Sequence, residues 1–171
     1  MAGKAIGWGI IGASSWSDHT FGPAVAKTKG ARLAAVFSSK AAHAHAYCEK
    51  HQVPNGYTDL KAFLADPAID VVWVAGPTHL HKPHAIAALK AGKHVLCEKP
   101  MAVTVADCQA MVRAAKGRGL RFGLGYNNRF NPHYQALARN HAAASATSAG
   151  RIRSTPAGSA AIGEYWLGRV R

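Results

Sequence analysis

The feature that most constrains the fold is an alternation that runs from the N-terminus to about residue 140. Short apolar runs, Ala5 to Ile11, Leu33 to Phe37, Val71 to Ala75, His94 to Cys97 and Phe122 to Tyr126, have the length of strands, and several are β-branched. Between them lie stretches with a helical pattern: Ala41 to His51, Asp59 to Leu64, Lys82 to Ala91 and Thr104 to Lys116. Asp59 and Thr104 are candidate N-caps, and Gly92 and Gly117 stand just past helix ends, where a left-handed residue closes the last turn. A strand can rejoin a sheet in the same direction only through a crossover, usually a helix. The alternation therefore predicts an α/β fold on a doubly wound parallel sheet.

Composition narrows the class. With 171 residues, 49% of them apolar, the chain has material for a real core. It holds no apolar run of 18 residues, and MAGKAIGWGII lacks the layout of a secretory signal, so a soluble, cytoplasmic protein without membrane contact is expected. Cys48, Cys97 and Cys108 form no CxxC pair, which suits reduced thiols better than disulfides or zinc. The net charge of +13 raises nucleic acid as a partner. From Arg113 onward, however, ten Lys or Arg stand against the single acid Glu164, and no aromatic platform interleaves them. The excess reads as a solvated basic end. Around Ala142 the sequence becomes AAASATSAGRIRSTPAGSAAIG, without either period. Residues 141–171 are expected to be a poorly ordered linker or the start of a second domain, after a nucleotide-binding domain over 1–140.

The stretch GWGIIGASSWS contains a literal GxGxxG in Gly7, Gly9 and Gly12. Used as the phosphate turn, it would leave MAGKAI for the first strand, which is too short. Shifting the register makes Ala5 to Ile11 the buried strand and Gly12 the first turn residue, with Ser14 and Ser17 in the later glycine slots. Small side chains there keep the backbone close to a pyrophosphate, whose charge suits the next helix's N-terminus. At the end of the second strand, where a carboxylate would hold the ribose 2′-hydroxyl of NAD, the sequence reads VFSSK. Two hydroxyls and a cation in Ser38, Ser39 and Lys40 favour a 2′-phosphate, so NADP is the expected cofactor, with NAD as the alternative.

Two further segments leave strands at their carboxyl ends, where open α/β sheets bind ligands: AGPTHLH and EKPM. The HxHxxH of His79, His81 and His84 invites a metal, but no carboxylate or thiolate lies nearby in sequence, and Thr78 and His81 read better as polar contacts of a loop over a cofactor. No metal site is expected. Glu98, Lys99 and Pro100 place an ammonium and a carboxylate together at the sheet's edge.

With GWGIIGAS, DVVWVAGPTHLHKPHAIAALKAGKHVLCEKPMAVT and GYNNRFNPHY in this order, residues 5 to about 140 resemble the N-terminal domain of the glucose-fructose oxidoreductase, inositol dehydrogenase and rhizopine catabolism family (Gfo/Idh/MocA). The resemblance implies a Rossmann-type domain of an NAD(P)-dependent oxidoreductase acting on a sugar, polyol or related hydroxy compound. It places Gly12, Ser14 and Ser15 at the pyrophosphate and Ser38 to Lys40 at the adenosine ribose. Pro77, Thr78 and His81 would line the cofactor's path, with Glu98, Lys99 and Asn127 around the nicotinamide ribose and the reacting carbon. Lys99 would be the catalytic residue, and the Lys99–Pro100 bond a candidate cis peptide. Members continue into a second α+β domain that supplies the substrate pocket and the sheet through which they commonly form homo-oligomers. This sequence reads as lacking most of that domain, through truncation or a frame shift over 142–171, which makes a non-catalytic NADP-binding module the alternative to an active enzyme.

Overall fold

In a computed structural model of the chain, residues 4–147 are described, with side chains through 141. Among them six strands form one all-parallel sheet in the order β3-β2-β1-β4-β5-β6. The strands are β1 (Ile6–Ile11), β2 (Ala31–Phe37), β3 (Asn55–Tyr57), β4 (Val71–Val74), β5 (His94–Cys97) and β6 (Phe122–Leu124). The order reverses direction between β1 and β4, the place where such sheets open a ligand crevice.

The strands are near-continuous apolar runs because helices cover both faces. The four residues of β4 are all buried, and Val72, Val74, Val95 and Cys97 pack with Leu89 and Met111 from the crossover helices. Those helices are α1 (Gly22–Lys27), α2 (Ala41–His51), α3 (Leu60–Ala65), α4 (Thr78–Lys90) and α5 (Val105–Ala115). Both expected N-caps form: Asp59 accepts the Ala62 N–H at 2.6 Å and Thr104 accepts the Asp107 N–H at 3.1 Å. Gly92 and Gly117 take the positive φ expected just beyond helix ends.

Three elements differ from the sequence expectation. Strand β3 is Asn-Gly-Tyr, with neither alternation nor a β-branched residue, and it pairs because β2 offers Ala35 to Phe37 as an edge. A π-helical turn over Ser17–Phe21 and the short helix α1 fill the segment after the first strand. Helix α4 begins at Thr78 instead of near Lys82, so THLH is its first turn and Pro83 lies inside it. Pro83 is the sixth residue of the helix and has no N–H, so the bond to the His79 carbonyl four residues earlier is missing.

The chain divides into two compact units, Met1–Gly125 and Tyr126–Arg171. The second contains a 3-10 turn, Asn127–Phe130, and helix α6 (Pro132–Thr147), whose first residues are pinned where Asn131 accepts the His133 N–H at 2.9 Å. The linker expected over 141–171 is corrected in its first part, since α6 continues to Thr147; residues 148–171 lie outside the described residues. Among those described, no helix is long and apolar enough to cross a membrane.

Candidate cofactor-binding site

Because every strand runs the same way, the turns that follow β1, β2, β4 and β5 emerge at one edge of the sheet. That edge collects Gly12, Ser14 and Ser15, then Ser38 to Lys40, then Pro77 and Thr78, and finally Glu98 and Lys99.

The register of the first turn follows from packing. A Cβ on Gly7 would stand 1.9 Å from the Ala68 carbonyl oxygen, and one on Gly9 would stand 2.7 Å from Phe63 Cζ. Both glycines are therefore strand positions crowded from the side. Gly12 is the turn: its φ is +112°, and a Cβ there would lie 2.9 Å from the carbonyl carbon of Ala75 and from the nitrogen of Gly76. Its N–H continues the ladder by donating to Phe37 O at 3.1 Å.

Ser14 and Ser17 lock the turn to each other. The Ser14 N–H donates to Ser17 Oγ at 2.9 Å, and the Ser17 N–H donates to Ser14 Oγ at 3.3 Å. The fully buried Ser17 hydroxyl also lies 2.9 Å from Gly12 O and 2.8 Å from Ser14 O, and Tyr47 donates its phenol hydrogen to Ser17 O at 3.1 Å. Burial pushes the Tyr47 phenol up to about 12, so it stays a donor at neutral pH. The reciprocal Ser-x-x-Ser pattern holds the backbone shape that a glycine would otherwise supply. Ser14 keeps its own hydroxyl hydrogen for an exposed acceptor, and Ser15 is exposed beside it.

The acid nearest this turn is held in ion pairs. Asp18 binds Lys50 Nζ at 2.5 Å and His51 Nε2 at 2.6 Å. The Lys50 hydrogen bond first, then that from His51, hold its carboxyl below the usual 3.8. These contacts also tie the π-helical turn to α2. Such turns are rare and recur at functional sites.

At the end of β2 the expected trio separates. Ser38 is mostly buried, and its Oγ accepts the Lys40 N–H at 3.3 Å, so it shapes the bend before α2. Ser39 and Lys40 are exposed and remain available to a ligand.

His81 is placed differently from a polar contact on the cofactor's path. It is 1% exposed, with Nε2 2.8 Å from Gly76 O and Nδ1 2.9 Å from Pro100 O. Both ring nitrogens are spent inside the protein, and the ring clasps the loop after β4 to the loop after β5. His79, the first histidine of HxHxxH, is exposed on α4, and His84 is half-buried, its pKa lowered by burial and then by the charge of His81. Among the described residues no group of His, Cys, Asp or Glu is arranged to hold a metal.

The clasp and the strand ladder fix Lys99. The Glu98 N–H donates to Val74 O at 2.8 Å, and the Glu98 carboxylate accepts the Lys99 N–H at 3.1 Å. A Cβ on Gly125 would crowd Glu98 Oε1 at 3.1 Å, so a glycine lets that carboxylate stay. The Lys99–Pro100 bond is cis. The Lys99 N–H is thus held by Glu98, and its neighbours Glu98 and Pro100 are held by Val74 and His81, while the Lys99 side chain is exposed and its ammonium stands 5.9 Å from the centre of the Trp16 ring. Trp16 was not legible as a site residue; its one signal is a large aromatic in the otherwise polar run SSWSD. Asn127 belongs to the second unit, where it is exposed at the start of the 3-10 turn.

A model of an oxidoreductase family with an NAD-binding Rossmann fold, GFO_IDH_MocA, matches residues 6–126. The chain belongs to this family. Among its relatives, 1,5-anhydro-D-fructose reductase of Ensifer adhaerens is 34% identical over 145 residues, covering 85% of this chain and 41% of that protein. An NADP-dependent scyllo-inositol 2-dehydrogenase of Bacillus subtilis is 33% identical, covering 79% of this chain and 41% of that protein. Of the solved structures, a 3-ketoreductase from Actinomadura kijaniata in complex with NADP superimposes with a TM-score of 0.76 at 25% identity, over 81% of this chain and 44% of that one. An aldose-aldose oxidoreductase from Caulobacter crescentus, complexed with glycerol, gives 0.73 at 36% identity, over 81% and 44%. The chain thus spans about two fifths of the length of the relatives it matches, the part that in this family binds the nucleotide.

Proposed function

We propose that this chain is the NADP-binding part of an oxidoreductase that moves hydride between the nicotinamide and a hydroxyl-bearing carbon of a sugar, polyol or related compound. The observation that carries the reading is the assembly at one sheet edge of the Gly12 turn, an exposed Ser39-Lys40 pair and the Lys99 ammonium. The relatives' names supply the substrate class.

The residues fit the cofactor they would hold. Gly12 leaves room for no side chain, and the Ser14 and Ser15 hydroxyls are exposed for the diphosphate, while the Ser14 N–H is spent on Ser17 Oγ. Lys40 would pair with the 2′-phosphate and Ser39 would donate to it, where an acidic residue would favour the free 2′-hydroxyl. Pro77 and Thr78, at the start of α4, would border the dinucleotide between its two halves. When bound, the nicotinamide supplies the hydride chemistry. Lys99 would donate a hydrogen bond to the substrate oxygen and stabilise negative charge as the C–H bond breaks, while Glu98 braces its backbone. His81 acts at one remove by fixing the loop from which Lys99 projects.

The test is a calorimetric titration of the chain with NADPH and with NADH, repeated on Ser39→Asp and Lys40→Asp. The wild type should prefer NADPH, and the substitutions should reverse the order. Equal and weak binding of both nucleotides would refute the reading. Binding without hydride transfer to any sugar or polyol would leave the chain as a nucleotide-binding module.

A further inference from the structure

Most large aromatic rings near the first strand are used in the core. Trp8 packs edge-on to Phe21 at 5.2 Å, and Phe21 stacks on Trp73 at 4.0 Å with 13° between the rings. Trp16 stands apart from this arrangement. It is 44% exposed, in the very turn that follows Gly12, between the exposed Ser15 and the buried Ser17. At this exposure much of the indole's planar apolar face is open to a ligand. Its contact is with the Lys99 ammonium, 5.9 Å from the ring centre, a distance at which an indole face attracts a cation.

From this we infer that Trp16 is a positioning residue for Lys99 and an aromatic wall against which the nicotinamide end of the cofactor packs. The inference rests on the function proposed above. If Lys99 holds the substrate oxygen, the reacting carbon lies within a bond of that oxygen, and the nicotinamide must lie against that carbon. The ring that already shelters the Lys99 ammonium then borders the same space. An indole there does two things. It holds a long, flexible ammonium near one place before substrate arrives, and it offers a planar apolar surface to a planar heterocycle. The backbone of the wall is rigid, because Ser14 and Ser17 lock the turn on either side of Trp16 and Trp16 O accepts the Thr20 hydroxyl at 2.5 Å.

The chain contains four tryptophans, and two of them, Trp8 and Trp73, are buried. Tryptophan emission during titration with NADPH therefore reads Trp16 when wild type is compared with Trp16→Phe, and calorimetry on the same samples gives affinity independently. Trp16→Phe should abolish most of the NADPH-dependent quenching while keeping affinity within about twofold, since a phenyl ring still stacks. Trp16→Leu should weaken NADPH about two- to fivefold, the loss of a stacking or cation contact worth about 0.5–1 kcal/mol. Lys99→Met should shift the emission of the cofactor-free protein in the wild type and leave that of Trp16→Phe unchanged. Circular dichroism melts confirm that each variant folds. Undiminished quenching in Trp16→Phe, together with unchanged NADPH affinity in Trp16→Leu, overturns the inference while the proposed function stands. Failure of the wild type to bind NADPH by calorimetry overturns both.

Discussion

Replacing Gly9 with alanine tests the register on which the whole site depends. The new methyl would lie 2.7 Å from Phe63 Cζ and 2.9 and 3.0 Å from two carbons of Ile69. Phe63 is fully buried and Ile69 nearly so, and their neighbours are close-packed, so the strand or the α3 face must shift. Overpacking of this kind costs about 1–3 kcal/mol. For a domain of this size each kcal/mol lowers the melting midpoint by about 4 °C, so a fall of roughly 4–12 °C is expected. NADPH affinity, measured well below the melting transition, should change less than about twofold, because Gly9 faces the core and not the crevice. Gly12→Ala is the contrasting case. It forces a side chain onto a φ of +112° and into the Ala75–Gly76 backbone 2.9 Å away. The positive φ adds about 1–2 kcal/mol, and the displaced turn should lose NADPH as well as stability. Melting curves and calorimetry on the two variants decide the matter. If Gly9→Ala melts like the wild type yet fails to bind NADPH, the phosphate turn includes Gly9 and the reasoning fails.

Two further outcomes follow from the same geometry. His81→Phe fills the same space but removes the ring nitrogens that face the Gly76 and Pro100 carbonyls, at a cost of about 1–3 kcal/mol for a polar group left unpaired; a lower urea midpoint together with weaker NADPH binding is expected, and an unchanged midpoint would remove the clasp. The Asp18 carboxyl, held below 3.8 by Lys50 and then His51, contributes stability that is present above the unfolded value and is lost as pH falls through the lower folded value; Asp18→Asn should be less stable than the wild type at pH 6 and indistinguishable from it once Asp18 is protonated, which urea unfolding across acidic pH measures.

The sequence by itself determined the parts of this protein whose signal is local. Strand-length apolar runs joined by helices require parallel pairing, and β1, β2, β4, β5 and β6 fall within two residues of where the runs place them. The caps Asp59 and Thr104 bond to N–H groups three residues away, so both partners are visible in one short window. Gly12 was readable because strand length excludes the earlier glycines. Tertiary structure decided what depends on partners distant in the chain. Strand β3 exists because β2 presents an open edge 20 residues earlier, at Ala35 for Asn55. His81 was expected to face a cofactor, yet Pro100, 19 residues on, takes its second nitrogen and turns it into a clasp. Ser38 looked equivalent to Ser39 until the bend into α2 drew its hydroxyl inward. Trp16 and Lys99 are 83 residues apart and meet because the strands before them, β1 and β5, both flank β4 and end at the same edge. Helix and strand propensities are set by the chain's own neighbours, whereas the partner of an individual polar or aromatic group is chosen only when packing brings remote segments within a few ångströms.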